Sequence, residues 1–531
     1  MGEKADLVVL SANIWTGNPQ QPQAQAMAVS GDSIIALGSN EEISALINDS
    51  TRIIEAQGRM LLPGFIDSHV HFMEGGFRLA SVQLRDAATP EEFSRRIGEF
   101  AKTIPPGTWI TGGDWDHERW GGELPKRAWI DSLTPEHPVF VSRLDGHMAL
   151  ANSLALQQAG VTAQTPDVDG GTIVRDKNGA LTGVLKNNAM NLVWPHVPDP
   201  TEEDRERALK AAMAYVASHG VTAVHHMGSW DQLHFFRRAH EKGLLKTRIY
   251  ASVPLSGWQR LEQFVAENGS GDKWLHWGGL KGFMDGSLGS QTAAFFDAYQ
   301  GKPDNSGLFV NDTTDMRDWI MGGDRAGLQP VIHAIGDRAI HILLDIFEQV
   351  QQENPPRDRR MRIEHAQHMA AADLGRFGEL GVIASVQPYH AIDDGRWAGK
   401  ILSDKQLEGS FAWKSLLDGG AMLAFGSDWF VAPPIPLETI YAAVTRRTLD
   451  DKNPEGWLPQ QKISVEQALQ AHTINAAYAA RDEARMGSLE KGKLADFVML
   501  DQNLFDIAPE TIRDVNVLLT VVGGEVVFER E

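Results

Sequence analysis

The chain has no cysteine among its 531 residues. That excludes disulfides, thiolate nucleophiles and cysteine-bound zinc, so a transition-metal site must be built from His, Asp, Glu or a modified Lys. No run approaches the ~18 consecutive apolar residues of a spanning helix. The N-terminus, Met1 to Asp6, lacks the apolar stretch of a signal peptide, and a cytoplasmic protein is expected. Basic residues are in deficit: 49 Lys and Arg against 70 Asp and Glu leave a net charge of −21. Such a surface repels phosphate backbones and anionic lipid, which argues against nucleic-acid and membrane partners. The remaining composition, 42% hydrophobic and 22% charged, is that of a globular protein with a large core.

Short strand-like runs broken by Gly, Asn, Pro and Asp occupy both ends. They are Leu7–Leu10, Ala26–Val29 and Ser33–Leu37 at the start, and Ala495–Leu500, Val515–Val522 and Gly523–Phe528 at the finish. Residues 1–63 and 485–531 are expected to pair into one small β-sandwich domain. The middle, residues 64–484, alternates apolar runs with helical patterns. Eight candidate strands are Gly64–His69, Val221–His225, Arg248–Val253, Leu280–Met284, Pro330–His333, Met361–His365, Val382–Val386 and Ala421–Phe425. Eight parallel strands with helices between them make an α/β fold of the (β/α)₈ TIM-barrel type. The first two runs lie about 150 residues apart, where one βα unit takes ~30. Residues from about 76 to 215 therefore read as a large insertion after strand 1, rising from the face where barrel loops build pockets.

His69-Val70-His71 puts two imidazoles on one side of an extended strand. Alone this is weak: with 18 histidines, chance supplies about 0.6 such pairs. Its setting strengthens it, because an apolar strand leads into the pair. His333, His365 and Asp428 each follow an apolar run and precede a turn. Side chains at successive strand ends of one barrel converge at its mouth, and this set has the donors a metal needs. Lys281 stands at the fourth strand. A neutral lysine amine can add carbon dioxide and bridge two metals as a carbamate. The alternative is an ordinary lysine paired with Asp285 or another acid, and the spacing leaves both open.

The ordered set His-x-His, Lys, His, His, Asp resembles the amidohydrolase superfamily. Longer blocks bring the chain close to its amidohydrolase-3 branch, which includes N-substituted formamide deformylases. These blocks are Leu62 to His71, Gly146 to Ala155, Lys281 to Ala293, Val331 to Ala339, Gln387-Pro388, Phe425 to Trp429 and Leu489 to Phe497. The resemblance implies a binuclear centre, two divalent ions (expected to be zinc) bridged by carbamylated Lys281. It implies His69, His71 and Asp428 on the first ion, and His333 with His365 on the second. One departure stands out: after Thr182 to Leu185, where relatives often carry Glu, this chain reads Lys186-Asn187-Asn188.

The expected reaction is metal-dependent hydrolysis of a carbon–nitrogen bond other than a peptide bond, by attack of a metal-bound hydroxide. Asp428 is the expected catalytic residue, taking the proton and returning it to the leaving amine. Candidate substrate contacts are Trp115, His117, Trp120 and His147 from the insertion, with Asp285, Gln387, His390 and Trp429 from the barrel. Two alternatives stand beside this reading. One is an esterase or lactonase on the same centre. The other is a non-catalytic scaffold, which is disfavoured because all six ligand positions are filled. A homodimer is the expected assembly.

Overall fold

A computed structural model describes residues 4–143, 148–168, 171–289 and 291–531, apart from the side chains of Glu118 and Asn187. His147 and the Asn187 side chain lie outside the described part. The chain forms two compact units, residues 1–72 with 213–531, and residues 73–212. No described helix is long and apolar enough to cross a membrane.

The first unit is organised around eight strands in sequential order: β1 (Phe65–Val70), β2 (Val221–Met227), β3 (Arg248–Pro254), β4 (Leu275–Phe283), β5 (Gln329–Ala334), β6 (Arg362–His365), β7 (Ile383–Val386) and β8 (Met422–Phe425). Every neighbouring pair is parallel. β1 and β2 are buried along their whole length. Helices follow strands and cover them, which is why most of the strands read as largely apolar runs. β4 begins five residues earlier than its apolar pattern indicates. Gly278 and Gly279 interrupt that pattern, and Gly279 is small because the Ser252 hydroxyl of β3 would lie 2.2 Å from any Cβ there.

The seam between β8 and β1 is drawn together just past the strand ends. The Asp428 amide donates to the His69 carbonyl at 2.7 Å, and the His71 amide donates to Trp429 at 2.6 Å. The result is a nearly closed eight-stranded parallel barrel, with β1 and β8 meeting where the histidine pair sits.

The chain ends add two sheets to this unit. A four-stranded sheet takes Ser33–Gly38, Ala26–Ser30, Leu7–Leu10 and Arg52–Glu55. A six-stranded sheet takes Glu525–Glu529, Val517–Val522, Phe497–Leu500, Met60–Pro63, Asn13–Trp15 and Gln23–Ala24. Phe497 pairs with Pro63 and Leu500 with Met60. One buried cluster draws Leu7, Val9 and Met27 from the first sheet and Leu61, Phe497 and Val521 from the second. Arg248 of β3 donates to both carboxylate oxygens of Asp496 at 2.6 and 2.8 Å, tying the barrel to this cluster.

The second unit holds a five-stranded sheet in the order Gly171–Arg175, Leu181–Asn187, Met148–Ala151, Val139–Arg143, Ile110–Trp115. Phe93, Ile97, Trp115 and Val141 form its core on one side.

Candidate metal centre

His69 lies near the end of β1 and is fully buried. Its Nδ1 hydrogen-bonds to Glu364 of β6. Its Nε2 is buried, and no described group hydrogen-bonds to it. Asp428 Oδ1 stands 3.5 Å from that Nε2 and 3.4 Å from His71 Nε2. Ligand atoms of His69, His365 and Asp428 all lie within 4.8 Å of one another. His365 and Asp428 both hold left-handed backbone, at φ 74° and 59°. That conformation is strained for a residue with a Cβ, and here it turns two donors toward one point.

The supporting contacts set tautomers. Arg362 donates from Nε to Glu364 at 2.7 Å, from Nη1 to His225 at 3.0 Å and from Nη2 to the Ser68 carbonyl at 2.6 Å. Burial alone would raise Glu364, but the Arg362 guanidinium and the His69 contact hold it well below the ordinary carboxylate range. An ionised Glu364 needs His69 as the Nδ1–H tautomer, which leaves the Nε2 lone pair toward the centre. Gln387 Oε1 lies 2.7 Å from His365 Nδ1 and fixes that ring the same way. Asp67 accepts from the amides of Ser427 at 2.9 Å and His69 at 3.2 Å, clamping the β8 turn onto β1.

Charge states suit metal binding. Burial, with the positive charge of Lys281 behind it, lowers His69 to about 4 and His333 to about 3. Burial likewise takes His365 well below its usual range. All three are therefore neutral ligands near pH 7. Burial would raise Asp428, but the hydrogen bond from His71 opposes it and the carboxylate stays ionised. Burial lowers Lys281 to about 8, against the opposing pull of Glu364 and Asp428.

His69, His71, Lys281, His333, His365 and Asp428 all line one cavity of about 440 Å³. The grouping differs from the pairing that the resemblance implied. His365 joins His69 and Asp428, whereas the His333 Nε2 lies 3.0 Å from the Gly286 carbonyl. The His333 and His365 rings remain neighbours, 4.5 Å between centroids.

The expected substrate contacts divide. His390 lines the cavity, and Gln387 serves His365. Asp285 does not line it: its buried carboxylate accepts from the amides of Ala294, Ile335 and Gly336 at 2.8–3.0 Å. Trp429 is buried and stacks on Tyr215, 5.7 Å between centroids. Trp115 is fully buried in the core of the 73–212 unit, with its indole N–H on the Val141 carbonyl. Trp120 packs beside that core, and His117 lies edge-on to Trp115. Sequence reading missed Glu364, Arg362 and Asp67. The first two are legible as alternate positions on β6, where the i, i+2 rule puts both on the barrel interior.

The profile of the amidohydrolase family matches residues 52–528. The chain belongs to the amidohydrolase family. This amidohydrolase is 42% identical to protein LONG AFTER FAR-RED 3 of Arabidopsis thaliana, over 99% of this chain and 92% of that protein. It is 29% identical to the N-substituted formamide deformylase of Arthrobacter pascens, over the whole of this chain and 99% of that one. A crystal structure of an uncharacterized metal-dependent hydrolase from Pyrococcus horikoshii superposes with a TM-score of 0.77 at 27% identity, over 95% of this amidohydrolase and 99% of that chain. Fold, family and centre agree on a metal-dependent hydrolase. The unpartnered His69 Nε2, the neutral imidazoles and the ionised Asp428 are a donor set that fits a divalent ion.

Proposed function

We propose that this amidohydrolase cleaves an amide-like, non-peptide C–N bond of a small molecule. The observation that carries the reading is the buried Nε2 of His69, unpartnered and facing His365 and Asp428 at the barrel mouth. A divalent ion held there would acidify a water and polarise the scissile carbonyl. His69, His71, His365 and Asp428 would hold one ion, and Lys281, as a carbamate, would bridge to a second beside His333. Low burial-driven basicity supports the carbamate, because only a free amine adds carbon dioxide.

The residues then divide the work. Asp428 takes a proton from the attacking water while the new C–O bond forms. It returns that proton to the nitrogen as the C–N bond breaks, giving a carboxylic acid and an amine. Glu364 and Gln387 keep His69 and His365 aimed throughout. Full-length similarity to a formamide deformylase supports nitrogen as the leaving atom. We also read the two terminal sheets as a β-sandwich, and residues 73–212 as an insertion after β1.

Elemental analysis of wild type and Lys281→Ala, expressed with bicarbonate, tests the centre. About two ions per wild-type chain and at most one in the variant are expected if the bridge exists. Wild type without stoichiometric metal, or two ions in both proteins, overturns it. A matched panel of formamides, esters and lactones tests the bond, and faster ester or lactone cleavage makes the protein an esterase.

A further inference from the structure

The helix Pro388–Asp394 follows β7 and contributes to the cavity wall. His390 and Asp394 are four residues apart on it, so they share one face. Both line the cavity. The His390 Nε2 is buried, and no described group hydrogen-bonds to it. Its Nδ1 lies 3.4 Å from Gln367 Nε2, and its ring runs nearly parallel to that of His365 at 6.4 Å. Burial keeps the His390 imidazole neutral. No described residue hydrogen-bonds to the Asp394 carboxylate, although its neighbour Asp393 is paired with Arg396. The residue is half-buried, so its carboxylate reaches the cavity with no described protein partner and is free to accept from a ligand. Trp397, three residues on, adds an aromatic surface to the same cavity.

The rest of the wall has the opposite bias to an anion site. Among the described lining residues Lys281 is the single lysine or arginine, and its nitrogen lies 4.9 Å from the Phe283 ring centre, in the field of Glu364 and Asp428. Apolar surface comes from Phe283, Leu288, Ile335 and Val431. A ligand with a positive nitrogen would meet a carboxylate and an indole, while its apolar part met these side chains.

We propose that Asp394, with His390 and Trp397, is the recognition wall for a cationic nitrogen on the substrate, which makes the preferred substrates amine-bearing amides. The inference rests on the hydrolase reading for the reaction, but not for the recognition. Burial pushes Asp394 up to about 7, and a bound ammonium would return it to the ionised form.

Calorimetric titration with benzylammonium and with benzyl alcohol, at pH 8, tests this on the metal-loaded protein. Benzylammonium is expected to bind about tenfold tighter. Asp394→Asn should bring the two within about threefold, and Asp394→Glu should restore part of the preference. Equal binding, no binding, or a preference that survives in Asp394→Asn overturns the proposal. Repeating the titration on metal-depleted protein separates the two readings. A preference that persists there belongs to the wall, and stands even if metal analysis and the substrate panel reject the hydrolase.

Discussion

Glu364 and His69 meet at the base of the cavity, both fully buried, with the carboxylate on Nδ1 and the opposite ring nitrogen left to the centre. The pair converts a barrel-interior charge into a ligand orientation. Glu364→Gln should therefore weaken divalent-metal affinity about 10- to 100-fold. Competition against a chelator reads this directly. An unchanged affinity would make Glu364 a packing residue only.

Arg362 is the counter-charge beneath that pair and has no exposure. Arg362→Met leaves Glu364 buried without its guanidinium. A loss of about 3–5 kcal/mol in chemical denaturation is expected. A variant as stable as wild type would mean that the interior carries Glu364 as the neutral acid.

Lys281, lowered to about 8, is roughly one-tenth neutral at pH 7, against less than about a thousandth for a free lysine. Because the folded value is depressed, the reactive amine grows as pH rises toward 8. At fixed dissolved carbon dioxide, metal-free protein should regain metal capacity about tenfold faster at pH 7 than at pH 6, levelling above about pH 8. A rate flat across that window shows that Lys281 is not the group taking up carbon dioxide.

Gly426 sits where a Cβ would lie 2.6 Å from the His69 nitrogen and 2.7 Å from its Cβ. Gly426→Ala must push β8 away from β1, lengthening the bond from the Asp428 amide to the His69 carbonyl. Stability should fall by about 1–3 kcal/mol. Metal affinity should fall with it, since His69 and Asp428 separate. Retained affinity in a destabilised variant would show that the seam and the centre are independent.

Arg248 and Asp496 are each about 3% exposed and bind in a bidentate fork. Asp496→Ala strands the guanidinium and also frees the Gly523 amide, which donates to Asp496 at 2.7 Å. A loss of about 3–5 kcal/mol is expected. Urea titration with probes on the barrel and on the terminal sheets should show both unfolding together in wild type. Separate transitions already in wild type would mean the fork does not couple them.

The barrel was legible because buried parallel strands announce themselves as apolar runs, and because His333, His365 and Asp428 close such runs. Glu364 was harder to find: its i, i+2 spacing from Arg362 places it on the barrel interior, but its role at His69 emerges only when β1 lies opposite β6. Asp285 misled for the reverse reason. It stands beside a glycine after a strand, yet its carboxylate is consumed by three backbone amides. Trp115 reads equally well as a pocket wall or a core residue, and only the second unit's own sheet decides for the core. Asp394 follows no strand directly and belongs to no spaced motif, so composition alone could not single it out.

The pairing of Phe497–Leu500 with Met60–Pro63 has a temporal side. Synthesis runs at about 5–20 residues per second, so the early strand waits roughly twenty seconds to a minute and a half for a partner made over 400 residues later. Throughout that interval Met60 to Pro63 present an open strand edge, the feature that recruits other chains. The hazard for this protein is concentrated in its own birth: aggregation should be worst for nascent chains stalled short of residue 497, and mildest once the last strand has arrived.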